Sequence, residues 1–372
     1  MKINKHLIKN LDWFLPAMAV IITLVGIMTI FSATRPPDGG QHPSYFMKQA
    51  YWLLLGLLAM SAIVSFDYIW LGRAAYVLYV VGILLLAAVL IGGRSGMGAQ
   101  RWLSLGPLSF QPSELFKLFF VIAFARYMAT LKSPLKGTDI IKAFLMFAAL
   151  PFAMLVKQPD LGTAVVLFSL FIALVLTKGV GRKVFAFIII AGIISIPFLG
   201  NILWGELKDY QKNRIVAFME PAVDPAGVGY HIIQSKVAIG SGGFWGKGYL
   251  KGTQGPFRFL PEKHTDFIFS VFAEEHGLAG CILLLMAYLA LIYRAVDTAR
   301  KAKDEFGRFL ALGITFMLTA YTVINIAMTM GLMPIVGIPL PFMSYGGTAL
   351  LGNFMAVGIL MNIRARRFEL FY

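Results

Sequence analysis

Asp266 is the side chain in this sequence best placed to do chemistry. It closes Pro261-Glu262-Lys263-His264-Thr265-Asp266, six consecutive polar, charged or turn-forming residues. An apolar run follows to the early 290s, broken only by Glu274-Glu275-His276. A carboxylate at such a junction is half out of water, where its pKa can be raised and proton transfer tuned. The same position suits a helix N-cap, because Asp is a favoured cap and Pro261 stops any earlier helix. The two duties are compatible.

Other charges lie within apolar stretches, where each costs at least ~2.5–3.5 kcal/mol at mid-bilayer and so needs a reason. Glu114 and Lys117 sit three apart on one helix face and can pair, either to hold the helix or to furnish a site. Asp160 follows Lys157-Gln158-Pro159 and is positioned to cap the next helix or to bind a cation or a hydroxyl. Glu274 and Glu275 come two turns after Asp266. Helical spacing puts Ser270, Ala273 and Gly277 on one narrow face below Asp266, which predicts a groove leading down from the carboxylate or, equally, tight helix packing. No His/Cys cluster has zinc spacing. Walker loops, Gly-x-Ser-x-Gly elbows and strand-borne Gly-x-Gly-x-x-Gly motifs are missing as well.

The elements that must position these groups are membrane helices. Of 372 residues, 58% are hydrophobic and only 14% charged, with a mean hydropathy of +0.76, too apolar for a soluble surface. A bilayer core takes ~20 apolar residues as a helix. Ten such runs are expected, at roughly 13–33, 50–66, 74–91, 112–130, 139–156, 162–177, 184–205, 266–293, 309–331 and 344–362. The basic start, Met1 to His6, leads into an uncleaved first helix. Cys281 is the single cysteine, so no intrachain disulfide forms. Nineteen of the 33 Lys and Arg residues fall at the termini and in even-numbered loops. Of the rest, eight lie in one long loop that topology largely ignores, leaving nineteen against six and placing both termini in the cytoplasm.

That long loop, about 206–265, faces outward. It contains Arg214, a helical stretch from Tyr230 to Ile239 that includes Lys236, a glycine stop at Gly240-Ser241-Gly242-Gly243, and Gly246-Lys247-Gly248. Its eight basic residues on the outer side point to an anionic partner. A second outward loop, about 92–111, carries Arg101 and Trp102, the latter an interfacial tryptophan or a platform for a sugar ring. A third, 332–349, is rich in Pro and Gly, which suggests re-entrant backbone lining a cavity. The whole reads as one integral membrane domain.

Tyr230-His231-Ile232-Ile233-Gln234-Ser235, Gly240-Ser241-Gly242-Gly243, the run from Phe259 to Phe267, and Pro339-Leu340-Pro341 with Ser344-Tyr345-Gly346-Gly347 resemble the SEDS family (shape, elongation, division and sporulation). Gly246-Lys247-Gly248 followed by Gly252-Thr253-Gln254 resembles its elongation branch more than its division branch. The likeness runs along essentially the whole chain, with the motifs in family order. It implies an all-α fold of ten transmembrane helices similar to the GT-C class, and a peptidoglycan glycosyltransferase that polymerises lipid II for cell elongation in the bacterial inner membrane.

Carried over by resemblance, Asp266 matches the essential aspartate, Trp102 a loop tryptophan needed for polymerisation, and Glu114 with Lys117 a charged pair in the central cavity. The expected partners are a class B penicillin-binding protein and other elongation-complex membrane proteins, with no nucleic acid. In the implied reaction Asp266 is the base. Candidates to meet the substrate and its pyrophosphate are Arg101, Lys117, Arg214, Lys236, Lys247, Lys263 and His264, or a divalent ion such as Mg or Mn held by Asp266 or Asp160. A lipid II flippase is the alternative of a different class. It would need polar groups on both leaflets' sides, whereas the informative motifs here crowd the outer face. A scaffold would explain the topology but not the buried charges.

Overall fold

A computed structural model describes residues 11–36, 44–96, 99–105, 108–186, 205, 209–221, 227–253 and 262–367. The fold is an all-α membrane bundle. Its long helices are α1 (Phe14–Ala33), α2 (Tyr45–Ser65), α3 (Tyr68–Gly92), α4 (Pro112–Thr130), α5 (Gly137–Lys157) and α6 (Leu161–Lys178), then α9 (Ile268–Arg300), α10 (Glu305–Thr329) and α11 (Gly347–Ala365). Two shorter helices, α7 (Asp209–Met219) and α8 (Val228–Ser241), belong to the long loop. Eight of the long helices are apolar enough to cross a membrane, and α4 falls short because it carries Glu114, Lys117 and Arg126. The run expected at 184–205 lies almost wholly outside the described residues.

The starts follow local capping chemistry. Asp67 accepts from Ile69 N at 2.9 Å, so α3 begins before the apolar run expected from 74. Asp304 accepts from Gly307 N at 2.6 Å and opens α10. Pro112 stands at the first turn of α4, where its missing N–H costs nothing. A π-helical turn at Phe144–Ala149 widens α5, and the Tyr79 hydroxyl donates to the Phe147 carbonyl there at 3.0 Å.

The core centres on α4, whose Phe116, Phe120, Val121 and Phe124 are fully buried. It packs against α3, α6, α10 and α11. Helices α2 and α11 approach closely through Gly56, where an added Cβ would meet the Phe354 ring at 2.8 Å.

Two features differ from a plain helical reading. The 92–111 stretch forms a three-stranded antiparallel sheet, β1 (Arg94–Gly96), β2 (Ala99–Leu105) and β3 (Leu108–Phe110), with Arg94 opposite Trp102 and Leu103 opposite Phe110. Helix α9 is broken at Gly277, which adopts φ +62°. The 242–248 segment docks on the break and satisfies its backbone. Leu278 N donates to Gly243 O at 2.9 Å, Ala279 N to Phe244 O at 3.0 Å, and Lys247 N to Glu274 O at 3.0 Å. A side chain at Gly242 would strike the Ala273 carbonyl, and one at Gly246 the Glu275 carbonyl. The face of Ser270, Ala273 and Gly277 is therefore filled, with the Ser270 and Ser235 hydroxyls 2.7 Å apart. Tight packing, not a groove, explains its small residues.

At the far end of α9 a charged clasp ties three segments together. Arg364 on α11 bonds Asp12 at 2.9 Å and Asp297 at 2.7 Å, and Arg294 bonds Asp12 at 2.7 Å. Asp12 and Arg364 are both buried, so each charge depends on the other.

Candidate functional site

Asp266 ends a tight turn rather than starting a helix. Thr265 N and Phe267 N both donate to Glu262 O, at 3.1 and 3.3 Å, and α9 opens at Ile268 with Phe267 in the cap position and no side-chain cap. The capping role expected for Asp266 is thus not taken up. The turn satisfies its own backbone and leaves the carboxylate free for other work.

The turn is gripped from behind, carbonyl by carbonyl. Tyr345 N donates to His264 O at 2.8 Å, the Ser344 hydroxyl to Thr265 O at 2.6 Å, and Asn325 Nδ2 to Asp266 O at 3.0 Å. Asn325, fully buried on α10, also donates to Ile338 O at 2.7 Å and so binds two loops at once. Buried Gln49 on α2 donates to Ser344 O at 2.9 Å and accepts from Gly346 N at 3.3 Å. The proline- and glycine-rich segment before α11 is therefore buried, non-helical backbone fixed by side chains. It serves as the platform for the aspartate.

The carboxylate itself is half-buried. Gly337, at φ +71°, leaves open the space in front of it. A Cβ there would stand 3.5 Å from Asp266 Oδ2 and 3.8 Å from Arg214 Nη1. Arg214 comes from α7, so the long loop supplies the cation opposite the acid. Burial pushes the Asp266 pKa up to about 6, against the lowering pull of Arg214, with Glu262 raising it and Arg101 lowering it. A group with that pKa is mostly ionised at neutral pH yet basic enough to take a proton.

Beside it lies a pocket of about 50 Å³ lined by Arg101, Pro159, Gln211, Arg214 and Val336 among others. Two guanidiniums from separate loops converge there. Arg101 reaches it from β2, donating to the Pro159 carbonyl, with Nη1 3.9 Å from Asp160 Oδ1 and Nε buried without a hydrogen-bond partner among the described residues. Asp160 caps α6, accepting from the Thr163 hydroxyl at 2.9 Å and from Ser113 at 3.1 Å. Of its possible roles, the cap and hydroxyl acceptor are realised.

Glu114 and Lys117 do pair, at 2.7 Å, and Lys117 also meets the Tyr321 hydroxyl on α10. They line a separate cavity of about 10 Å³, the size of one water. Trp102 is half-buried on β2, next to Arg101. His264 stacks on Tyr45 at 4.4 Å between ring centres, and burial holds its pKa below the usual histidine value. Lys263 is half-buried on the same turn.

Two expected substrate cations stand elsewhere. Lys247 pairs with fully buried Glu274 at 2.6 Å, where Thr253 also donates, so it neutralises a helix carboxylate at the α9 break. Lys236 is exposed on α8 and lies against Gly331. Glu275 is likewise committed, accepting from the Ser32 hydroxyl.

These donors do not form an all-protein cage for a divalent ion. Among the described residues no three His, Cys, Asp or Glu side chains converge on one point. The oxygens of Asp160 serve Ser113, Thr163 and Arg101, and Asp266 faces guanidinium groups.

Sequence reasoning did not find Asn325, Gln49, Ser344 or Gly337 as parts of this site. The one available signal for Asn325 and Gln49 was a polar amide inside an apolar span, which says that a partner exists but not which one.

The family model described as cell cycle protein, covering FtsW, RodA and SpoVE, matches residues 9–368. The chain belongs to the SEDS family. This SEDS protein is 38% identical over 361 residues to the peptidoglycan glycosyltransferase MrdB of Escherichia coli, covering 96% of this chain and 94% of that one. It is 30% identical to the peptidoglycan glycosyltransferase RodA of Treponema pallidum, covering 97% and 99%. Among solved structures, a chain from a peptidoglycan synthase complex that coordinates polymerization and crosslinking superposes with a TM-score of 0.82 at 30% identity, covering 96% of this SEDS chain and 99% of its own. The rod shape determining protein RodA of Thermus thermophilus superposes at 0.71 with 28% identity, covering 96% and 98%.

Proposed function

We propose that the chain is a peptidoglycan glycosyltransferase that polymerises lipid II into β-1,4 glycan strands for cell elongation. The observation that carries this reading is the half-buried Asp266 carboxylate, held by its own backbone and facing Arg214 across the space that Gly337 leaves open. The 4-hydroxyl of the acceptor GlcNAc attacks the anomeric carbon of the donor MurNAc and gives its proton to Asp266. The bond from that carbon to the pyrophosphate oxygen breaks, and the α-linked donor becomes a β-linked product by inversion. An inverting glycosidase also needs an acid. Undecaprenyl pyrophosphate leaves as an anion already, so it needs positive charge, which Arg214 and Arg101 supply.

Lys117 and Glu114 form a buried ion pair in a separate, water-sized cavity, while Trp102 stands next to Arg101 and His264 lies two residues before Asp266. The excess of Lys and Arg at the termini and in the even-numbered loops supports cytoplasmic termini and an Asp266 on the outer face. The partner in this reading is a class B penicillin-binding protein, supported by the superposition on a synthase complex, together with other elongation-complex membrane proteins. The test incubates the purified chain, alone and with that partner, with labelled lipid II. Ladders of glycan on a gel support the reading. Movement of lipid II between leaflets without any polymer overturns it.

A further inference from the structure

Where α6 ends at Lys178, α9 ends at Arg300 and α10 begins at Glu305, an open cleft of about 610 Å³ lies at the surface of the bundle. It lies at the opposite end of α9 from the Asp266 turn, and the polymerisation reading makes no use of it. Its lining combines apolar Val296, Ala302 and Leu312 with basic Arg300, Lys303 and Arg308. The two acids in the lining are engaged. Asp304 accepts from Gly307 N and from the Tyr68 hydroxyl, and Glu305 accepts from Lys178 Nζ at 2.9 Å and lies 3.6 Å from Arg308. Arg300 is exposed, and Lys303 Nζ stands 5.9 Å from the centre of the Tyr68 ring.

All three helices at this pocket are long and apolar enough to cross a membrane, and the pocket sits at their ends, the level at which lipid headgroups meet protein. A volume in the range of small-molecule sites far exceeds what inorganic phosphate needs. The apolar lining has no use for a headgroup alone. We propose that this pocket binds an anionic phospholipid, its phosphate against Arg300 and Lys303 and its glycerol and acyl chains along Val296 and Leu312.

The full chain in neutral detergent is titrated with phosphatidylglycerol, with phosphatidylcholine and with glycerol 3-phosphate, and occupancy is read by native mass spectrometry. Phosphatidylglycerol binds in preference to phosphatidylcholine, and glycerol 3-phosphate does not compete. Each basic side chain near an anionic headgroup is worth about fivefold, so Arg300→Gln with Lys303→Gln weakens phosphatidylglycerol binding by roughly 25-fold at low salt. Leu312→Trp fills the apolar side and weakens binding with no change of charge, which decides the matter if the double variant fails to fold. Equal binding of the two lipids, competition by glycerol 3-phosphate, or unchanged binding in the folded variants overturns the proposal.

Discussion

At the scale of single residues, the account rests on how Asp266 is tuned. Its pKa is raised to about 6 by burial, with Arg214 pulling the other way. A base must be ionised, so the rate of polymerisation falls as pH drops through about 6. Removing the cation that holds the pKa down moves that acid limb to higher pH, and Arg214→Gln is expected to show the shift in a pH–rate profile as well as a lower maximal rate. The consequence for stability has the opposite sense. A carboxyl whose pKa is higher in the fold than in the unfolded chain favours folding most below about 4, and that benefit is lost as pH rises through about 6. Thermal unfolding at pH 8 should therefore find Asp266→Asn more stable than the wild type, with the gap closing at pH 4. The acid was legible in the sequence because a polar run meets an apolar one at Asp266. Its tuning was not, because Arg214 lies 52 positions away and only the folded loop brings it near.

At the scale of elements, two segments without regular structure do the positioning. The segment before α11 holds the Asp266 turn through Asn325, Ser344 and Gln49. Asn325→Leu, close in volume and without a donor, leaves the Asp266 and Ile338 carbonyls unpaired. An unsatisfied buried group costs about 1–3 kcal/mol, so a melting point lower by several degrees is expected together with a polymerisation rate that falls further than the stability loss explains. The 242–248 segment plugs the break in α9, and Gly246→Ala meets backbone that cannot yield. A loss of several degrees in thermal unfolding checks this, and an unchanged melting point would remove the plug from the account. Of the glycines of this segment, Gly242 and Gly243 were visible in the sequence as a helix stop. Their second purpose, close approach to Glu274 through Gly277, depends on a contact some thirty residues distant. The sheet formed by β1 to β3 was likewise read only as a loop, since strand pairing across such short runs is settled by partners rather than by periodicity.

At the scale of the whole molecule, the helices were largely legible because each must bury about 20 apolar residues in the bilayer. Their ends moved by a few residues wherever a cap such as Asp67 or Asp304 set the start. What hydropathy does not reveal is how the two ends of the bundle differ. The end holding Asp266 is built from loops that grip its turn. The other is tied by Asp12, Arg294, Asp297 and Arg364. Removing one partner of a buried pair costs roughly 3–5 kcal/mol, so Asp12→Ala should lower the melting point well beyond the effect of a surface substitution. The most direct test of the account is the polymerisation rate of purified Asp266→Asn on lipid II, with folding verified by thermal unfolding. Loss of general-base assistance predicts a fall of roughly 10²–10⁴-fold in a folded protein. A folded variant that makes glycan at the wild-type rate would contradict it.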